Sequence, residues 1–217
     1  MARLTNKPRR GGTARQARTD RHDWTPFRAD ERPVETFGRH GSHRLALAYA
    51  NSYHVGMSSL GFQRTYRLVA ERPDWAVERY FSDGAGMPLS VEEDRPLSEL
   101  GTICFSVSFE EDYLNLLAML DRARIPLRRR DRSPWDPLIV MGGSCAAINP
   151  LPMAEFVDVF ALGAAENLLD DLLGALEEEP DRDAVIERLA TRPGFYVPAV
   201  HRPEEDPALY GPGGKLR

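Results

Sequence analysis

The strongest indication of fold class in this chain is the stretch Arg44-Leu-Ala-Leu-Ala-Tyr-Ala-Asn-Ser-Tyr-His-Val-Gly-Met-Ser-Ser-Leu-Gly-Phe-Gln63. Its apolar first part is typical of a buried strand, and this part stops at two polar residues, Asn51 and Ser52. A loop with one glycine follows, and apolar residues then recur at helical spacing from about Ser58. Strand, loop and helix in this order form the unit that opens an α/β sheet.

The same alternation of apolar runs and helical patterns continues along the chain. We predict strands at 44–50, 77–81, 102–108, 138–141 and 157–162, and helices at 58–71, from Ser108 onward, at 164–178 and at 183–190. Ser108 and Glu111 have the spacing of a capping box. The last three strands are near-continuous apolar runs, which is typical of parallel strands covered on both faces. The sequence therefore predicts an α/β fold with a doubly wound, mostly parallel five-stranded sheet.

Both ends of the chain differ in composition from this central part. Residues 1–41 are polar and lack periodicity, so we predict a basic, disordered extension before a domain at 42–180. Residues 181–217 are interpreted as a helix and a linker rich in proline and glycine. Residues 1–22 hold seven basic residues and one acidic residue, so within a net charge of -5 the other 195 residues carry -11. Such an acidic body is a poor surface for nucleic acid, and only residues 1–22 are a candidate contact.

The composition also bears on cellular location. No run approaches the roughly 18 apolar residues of a membrane span, and no apolar signal segment begins the chain. Two cysteines, Cys104 and Cys145, cannot build a disulfide framework. We therefore predict a cytoplasmic protein without a membrane partner.

Because the carboxyl ends of parallel strands share one edge of a sheet, the residues after each strand are the candidate ligand contacts. After the first strand, Asn51, Ser52 and His54 offer hydrogen-bonding groups, and Gly56 is free to adopt unusual dihedral angles. Ordinary turn chemistry explains these residues equally well, and His54 alone is more typical of a surface histidine than of a metal ligand.

Ser106 and Ser108 lie where the third strand becomes a helix, together with the acidic residues Glu110, Glu111 and Asp112. A helix cap explains them without any ligand. The three carboxylates repel phosphate, and no glycine-rich nucleotide motif is present, so dinucleotide and nucleoside-triphosphate sites lose their support.

Glycines follow the fourth and fifth strands. Gly142 and Gly143 allow a flat ligand to lie against the backbone, although a tight turn explains the pair as well. Gly163 permits a turn after the fifth strand, and Glu166 either contacts a ligand or caps the next helix. No catalytic set of residues and no metal-binding cluster can be argued from spacing, so the residues alone indicate a binding module.

At these positions the chain resembles the N-terminal, cobalamin-binding-like domain of a large family of radical SAM proteins. The similar segments are Leu45-Ala-Leu-Ala-Tyr-Ala-Asn-Ser-Tyr-His-Val-Gly-Met-Ser-Ser-Leu-Gly61, Phe105-Ser-Val-Ser-Phe-Glu110, Val140-Met-Gly-Gly143 with Asn149-Pro150, and Pro193-Gly-Phe-Tyr-Val-Pro198. The resemblance covers roughly residues 43–200. It implies a Rossmann-like domain that precedes a barrel, in which a Cys-x-x-x-Cys-x-x-Cys motif binds a [4Fe-4S] cluster and cleaves S-adenosylmethionine.

The resemblance implies cobalamin as a candidate cofactor at Asn51, Ser52, His54, Gly56, Ser106, Ser108, Gly142, Gly143, Gly163 and Glu166. The cysteine triplet is absent, so the iron–sulfur cluster and S-adenosylmethionine are expected only in the full-length family. The Asp-x-His-x-x-Gly loop of base-off cobalamin proteins is also missing around His54. The expected function is therefore cofactor binding, or cover of an active site, for a radical SAM barrel supplied in cis or in trans. The alternative is a free-standing, flavodoxin-like module that binds a small ligand or a partner without catalysis.

Overall fold

A computed structural model describes residues 22–32, 41–179 and 181–202. The strands are β1 His43–Tyr49, β2 Trp75–Phe81, β3 Thr102–Ser106, β4 Leu138–Gly142, β5 Val159–Ala161 and β6 Phe195–Tyr196. The helices are α1 Thr25–Asp30, α2 Tyr53–Ser58, α3 Leu60–Ala70, α4 Asp112–Arg122, α5 Ser144–Ile148, α6 Ala165–Glu178 and α7 Arg182–Ala190. Short 3-10 turns lie at Leu97–Glu99, Arg129–Asp131 and Leu151–Met153.

The strands form one sheet in the order β2-β1-β3-β4-β5-β6, in which β1 to β5 are parallel. The predicted α/β, doubly wound and mostly parallel sheet is confirmed. A short sixth strand, β6, adds to the five that were predicted, and it pairs antiparallel with β5. The chain order reverses between β1 and β3, so the carboxyl edge there is the switch point of the sheet.

Alternate strand residues enter two separate cores because successive side chains point to opposite faces. Leu45, Leu47 and Tyr49 of β1 join the core beneath α3, α6 and α7. Ala46 and Ala48 join the core beneath α4 and α5. Helices therefore cover both faces of the sheet, as the apolar runs predicted.

Part of the predicted disordered extension is ordered, which corrects that prediction for residues 22–32. Trp24 is buried, and its indole N–H donates to the Leu89 carbonyl at 3.0 Å. Glu31 accepts two hydrogen bonds from the buried Arg79 guanidinium at 2.7 and 3.0 Å. These partners lie more than forty positions away in sequence, so local polarity gave no sign of them. Residues 1–21, 33–40 and 203–217 lie outside the described residues.

The segment after β1 also differs from its prediction. Residues 53–58 form the helix α2 rather than a loop, because the Asp83 carboxylate accepts from the Tyr53 N–H at 2.7 Å. The next helix begins at Leu60, where the Ser59 hydroxyl accepts from the Phe62 N–H.

Two further details differ. The predicted capping box is wrong: α4 begins at Asp112 without a side-chain cap, and the Ser108 carbonyl accepts from the Ser144 hydroxyl at 3.0 Å. In addition, α7 and β6, which the sequence placed in a connection beyond the domain, pack on the same sheet. Within the described ranges, no helix combines the length and the apolar character that a bilayer crossing requires.

Candidate functional site

A cavity of about 390 Å³ lies between the sheet and the helices α3 and α6, on one face of β1, β3 and β4. Side chains of these strands form its floor, namely Leu45, Leu47, Cys104 and Val140. Leu168, Leu169 and Leu172 of α6 form one wall, and Gly61, Arg64 and Thr65 of α3 form the other. The lining is largely apolar, and the volume falls within the usual range for small-molecule sites.

Five of the predicted site residues line this cavity: Ser106, Gly142, Gly143, Gly163 and Glu166. They follow or end β3, β4 and β5, and the shared carboxyl edge of these parallel strands brings them together. Ser144, Ala147, Ala161 and Ala164 accompany them. Small residues at this edge leave the mouth of the cavity open.

The other five predicted site residues are not among the residues that line the cavity. The Asn51 amide donates to the Asp112 carboxylate at 2.7 Å, and its oxygen accepts from the Ser52 N–H. This hydrogen bond joins the ends of β1 and α4 and thus occupies the switch point with the protein's own side chains. His54 is exposed and contacts the rings of Phe27 and Tyr53.

Gly56 and Ser108 have structural surroundings as well. Gly56 is buried within α2, and an added Cβ would lie 2.4 Å from the Phe81 ring, so close packing explains this glycine. It has no positive φ, so the predicted unusual dihedral angles are absent. The Ser108 carbonyl anchors the Ser144 hydroxyl, which lines the cavity.

The adjacent glycines Gly142 and Gly143 play different roles. Gly143 has φ +100°, and an added Cβ would lie 2.4 Å from the Val107 carbonyl oxygen. Gly142 has ordinary dihedral angles for a strand, and its added Cβ would meet nothing closer than Ala161 at 3.8 Å. Gly143 thus shapes the turn into α5, whereas Gly142 leaves space that belongs to the cavity.

An ion pair spans the two helices beside the cavity. The Arg64 guanidinium donates to the Glu166 carboxylate at 3.0 Å. A backbone hydrogen bond within residue 166 is the main cause that lowers the pKa of Glu166, and this ion pair lowers it further. The sequence left open whether Glu166 contacts a ligand or caps the next helix. No side chain caps α6, and the Glu166 carboxylate instead pairs with Arg64.

The floor of the cavity was missed by sequence reasoning. The apolar runs of β1 and β4 were predicted to be buried strands, and the helix predicted at 164–178 carries the leucines of α6; most of these apolar residues are indeed buried. Their apolar spacing is the same whether helix or ligand covers them. The sequence did offer one signal, the small residues that follow the fourth and fifth predicted strands, namely Gly142, Gly143, Gly163 and Ala164.

Cys104 is buried in the cavity floor, and burial raises the pKa of its thiol to about 12. At pH 8 about one thiol in ten thousand is then ionised, against roughly a quarter for a free cysteine. We expect iodoacetamide to label Cys104 at least about 100-fold more slowly in the native protein than in the denatured protein. Mass spectrometry of the Cys104 peptide against time measures this, and rapid native labelling at pH 8 would contradict the burial.

Cys145 is also buried, and burial is the main cause that raises the pKa of its thiol. Burial likewise raises the pKa of its hydrogen-bond partner Tyr113 to about 12. In the part of the chain that the structure describes, no three His, Cys, Asp or Glu side chains are placed to hold a metal ion.

Comparisons with known proteins bear on this site. The family model for the N-terminal region of radical SAM proteins matches residues 61–198, which is more than half of the chain. A protein of Methanocaldococcus jannaschii, itself described only as uncharacterized, is 26% identical over 141 residues. That alignment covers 65% of this chain and 28% of the relative, so the chain spans little more than a quarter of that protein. No solved structure matches the chain with significance.

Proposed function

The chain belongs to the family of N-terminal domains of radical SAM proteins, and we propose that it serves as the ligand-binding accessory domain of a radical SAM enzyme. Radical SAM proteins use S-adenosylmethionine and an iron–sulfur cluster, and an N-terminal domain of this family implies a catalytic domain as partner. The chain holds only two cysteines, 41 positions apart and both buried. We therefore assign the cluster chemistry to the partner and ligand binding to this chain.

The observation that supports ligand binding is the apolar cavity with Gly142 at its open edge. An apolar floor favours a flat hydrocarbon or aromatic group, because burying such a group removes about 25 cal/mol of unfavourable hydration per Å². Gly142 has no side chain, so the group can lie directly on the strand backbone. The hydroxyls of Ser106 and Ser144 are suited to orient it by hydrogen bonds.

Cobalamin is the candidate ligand, and the lining residues fit one part of it. The cavity suits a flat, apolar ring system of a larger molecule, with Leu47, Val140 and Leu169 against its faces. The lining residues do not fit a ligand to the cobalt, since none of the described residues around the cavity is a histidine, and His54 is exposed elsewhere. Bound cobalamin would supply methyl transfer or electron transfer, while this chain's residues would bind and orient one end of it.

Equilibrium dialysis of the full chain against hydroxocobalamin tests this proposal. We expect saturable binding by the natural chain and its loss in Gly142→Leu, because the leucine side chain fills the cavity while its Cβ has space. Gly101→Leu is the matched control, since Gly101 is exposed, lies outside the cavity and has nothing within 4 Å of an added Cβ.

The results separate the parts of the proposal. If Gly142→Leu and Gly101→Leu both bind as well as the natural chain, the ligand does not bind in the cavity. No binding by the natural chain would overturn cobalamin as the ligand.

A further inference from the structure

A second, smaller pocket lies at the amino edge of the sheet, whereas the mouth of the cavity lies at the carboxyl edge. Its volume is about 300 Å³, at the lower end of the range for small-molecule sites. Four parts of the chain meet there: the 3-10 turn at Arg129–Asp131, the residue before β5, the helix α7 and the segment after β6. Because β6 is antiparallel to β5, its end returns to the edge at which β5 begins. We call this the amino-edge pocket.

Arg129 brings to this pocket a positive charge that pairs with no carboxylate among the described residues. Its Nε donates to the Ala154 carbonyl at 3.0 Å, and its Nη2 donates to the Pro198 carbonyl at 3.4 Å. Both acceptors are uncharged, and the guanidinium has further N–H donors. A half-buried arginine in this state favours an anionic group beside it, because hydrogen bonds between charged partners are the stronger ones.

Arg182 adds a second guanidinium to the same pocket, and its hydrogen bonds are incomplete. Its Nη2 donates to Asp158 at 2.8 Å, and its Nη1 donates to Asp183 at 3.2 Å. Its Nε is buried and has no acceptor in the described ranges, which is an unfavourable state for a donor. Arg182 therefore has donor capacity beyond its two ion pairs, beside a pocket that Arg129 also lines.

The helix α7 places acidic and apolar groups next to these cations. Asp183 and Glu187 are four residues apart and share one face of the helix, while Arg182 and Ile186 share the neighbouring face. All four line the pocket, together with the half-exposed Val200. Glu187 is exposed, and no ion pair engages it within the part of the chain that the structure describes. The pocket thus joins a cationic side, an anionic row and an apolar wall.

We propose that the amino-edge pocket binds an aliphatic α-amino acid in its zwitterionic form. The ligand carboxylate accepts hydrogen bonds from Arg129 and Arg182, the ammonium group donates to Glu187, and the aliphatic side chain packs on Ile186 and Val200. An inorganic dianion matches the pocket less well, because the acidic row of α7 repels it. The inference is independent of the proposed function, since the amino-edge pocket shares no lining residue with the cavity.

Isothermal titration calorimetry of the full chain with L-leucine tests this inference. Two analogues separate the contacts: 4-methylpentanoate lacks the ammonium group, and 3-methylbutylamine lacks the carboxylate. We expect saturable binding of L-leucine, and dissociation constants at least about tenfold weaker for each analogue, because each loses a charge-assisted hydrogen bond.

Two variants assign the contacts to residues. Arg129→Gln removes the charge, while its amide can still donate to the Ala154 carbonyl, and it should weaken both L-leucine and 4-methylpentanoate by about tenfold or more. Glu187→Gln should weaken L-leucine alone and leave 4-methylpentanoate unchanged, a pattern that damage to the fold would not produce. Arg130→Gln is the matched control, because the Arg130 side chain is 71% exposed and lies outside the pocket.

The other outcomes would overturn the inference. These are no saturable binding of L-leucine by the natural chain, or binding that neither Arg129→Gln nor Glu187→Gln weakens. Inorganic phosphate that displaces L-leucine would identify a plain anion site instead. Gly142→Leu should bind L-leucine like the natural chain, and a loss of binding there would place the amino acid in the cavity. None of these results depends on whether the chain binds hydroxocobalamin, so the two proposals fail separately.

Discussion

Gly143→Ala is expected to lower the free energy of unfolding by about 3 kcal/mol or more. This loss is a large fraction of the stability of an ordinary protein. The backbone at Gly143 has φ +100° and ψ -178°, a region that is essentially restricted to glycine. An alanine Cβ would also lie 2.4 Å from the carbonyl oxygen and 2.9 Å from the nitrogen of Val107. These atoms cannot move away freely, because Val107 donates to the Gly142 carbonyl and accepts from the Cys145 N–H.

The neighbouring glycine provides the control for this prediction. Gly142→Ala adds the same methyl group one residue earlier, where φ is ordinary and the nearest atom lies at 3.8 Å. We expect its free energy of unfolding, measured in urea, to stay within about 0.5 kcal/mol of that of the natural chain. Equal midpoints for the two alanine variants, measured by circular dichroism, would show that Gly143 is not constrained as the structure indicates.

This pair also shows what sequence can and cannot tell about the site. Two adjacent glycines after a predicted strand indicated close backbone approach, and both do line the cavity. Their spacing does not reveal which one holds a positive φ, since that depends on the path of Val107 in the neighbouring strand segment. The sequence thus predicted the place, and the structure assigns the roles.

The sheet was predictable because its signals are local. The predicted strands at 102–108, 138–141 and 157–162 match β3, β4 and β5 to within two residues at each end. α6 begins one residue after its predicted start. Buried parallel strands need continuous apolar sequence, and amphipathic helices need helical spacing, so both patterns appear in a single chain. Caps were less predictable, because Asp83 supports α2 from thirty residues away.

The cavity was not predictable because it is a gap between elements. Its volume depends on how far α3 and α6 stand apart over β3 and β4, and no residue type encodes that separation.

Asn51 illustrates the opposite error. Its place at the end of β1 predicted a ligand contact, yet its amide donates a hydrogen bond to the buried Asp112 carboxylate. Whether a strand-end side chain contacts a ligand or a neighbouring helix is decided by tertiary packing.

The second large effect is expected at the opposite edge of the sheet, where Asp158 lies buried between two arginines. One carboxylate oxygen accepts from Arg132 at 3.0 Å and from the Ile139 N–H at 2.8 Å. The other oxygen accepts from Arg182, the first residue of α7, at 2.8 Å. Desolvation lowers the pKa of Arg132, whose side chain is wholly buried, and Asp158 opposes that effect. The carboxylate thus compensates a charge that has no access to water.

Asp158→Ala is therefore expected to lower the free energy of unfolding by about 3–5 kcal/mol, the usual effect of leaving a buried charge without its partner. Asp183→Ala is the matched control, because Asp183 also binds Arg182, at 3.2 Å, but its side chain is 64% exposed. An exposed ion pair contributes about 0–1 kcal/mol, so the free energy of unfolding of this variant should be close to that of the natural chain.

Urea unfolding followed by tryptophan fluorescence measures the stability of both variants. A similar small loss in the two variants would mean that water reaches Arg132 and that the triad does not hold β5 and α7 together. Because neither aspartate lines the cavity, ligand binding by any folded fraction of these variants should remain unchanged.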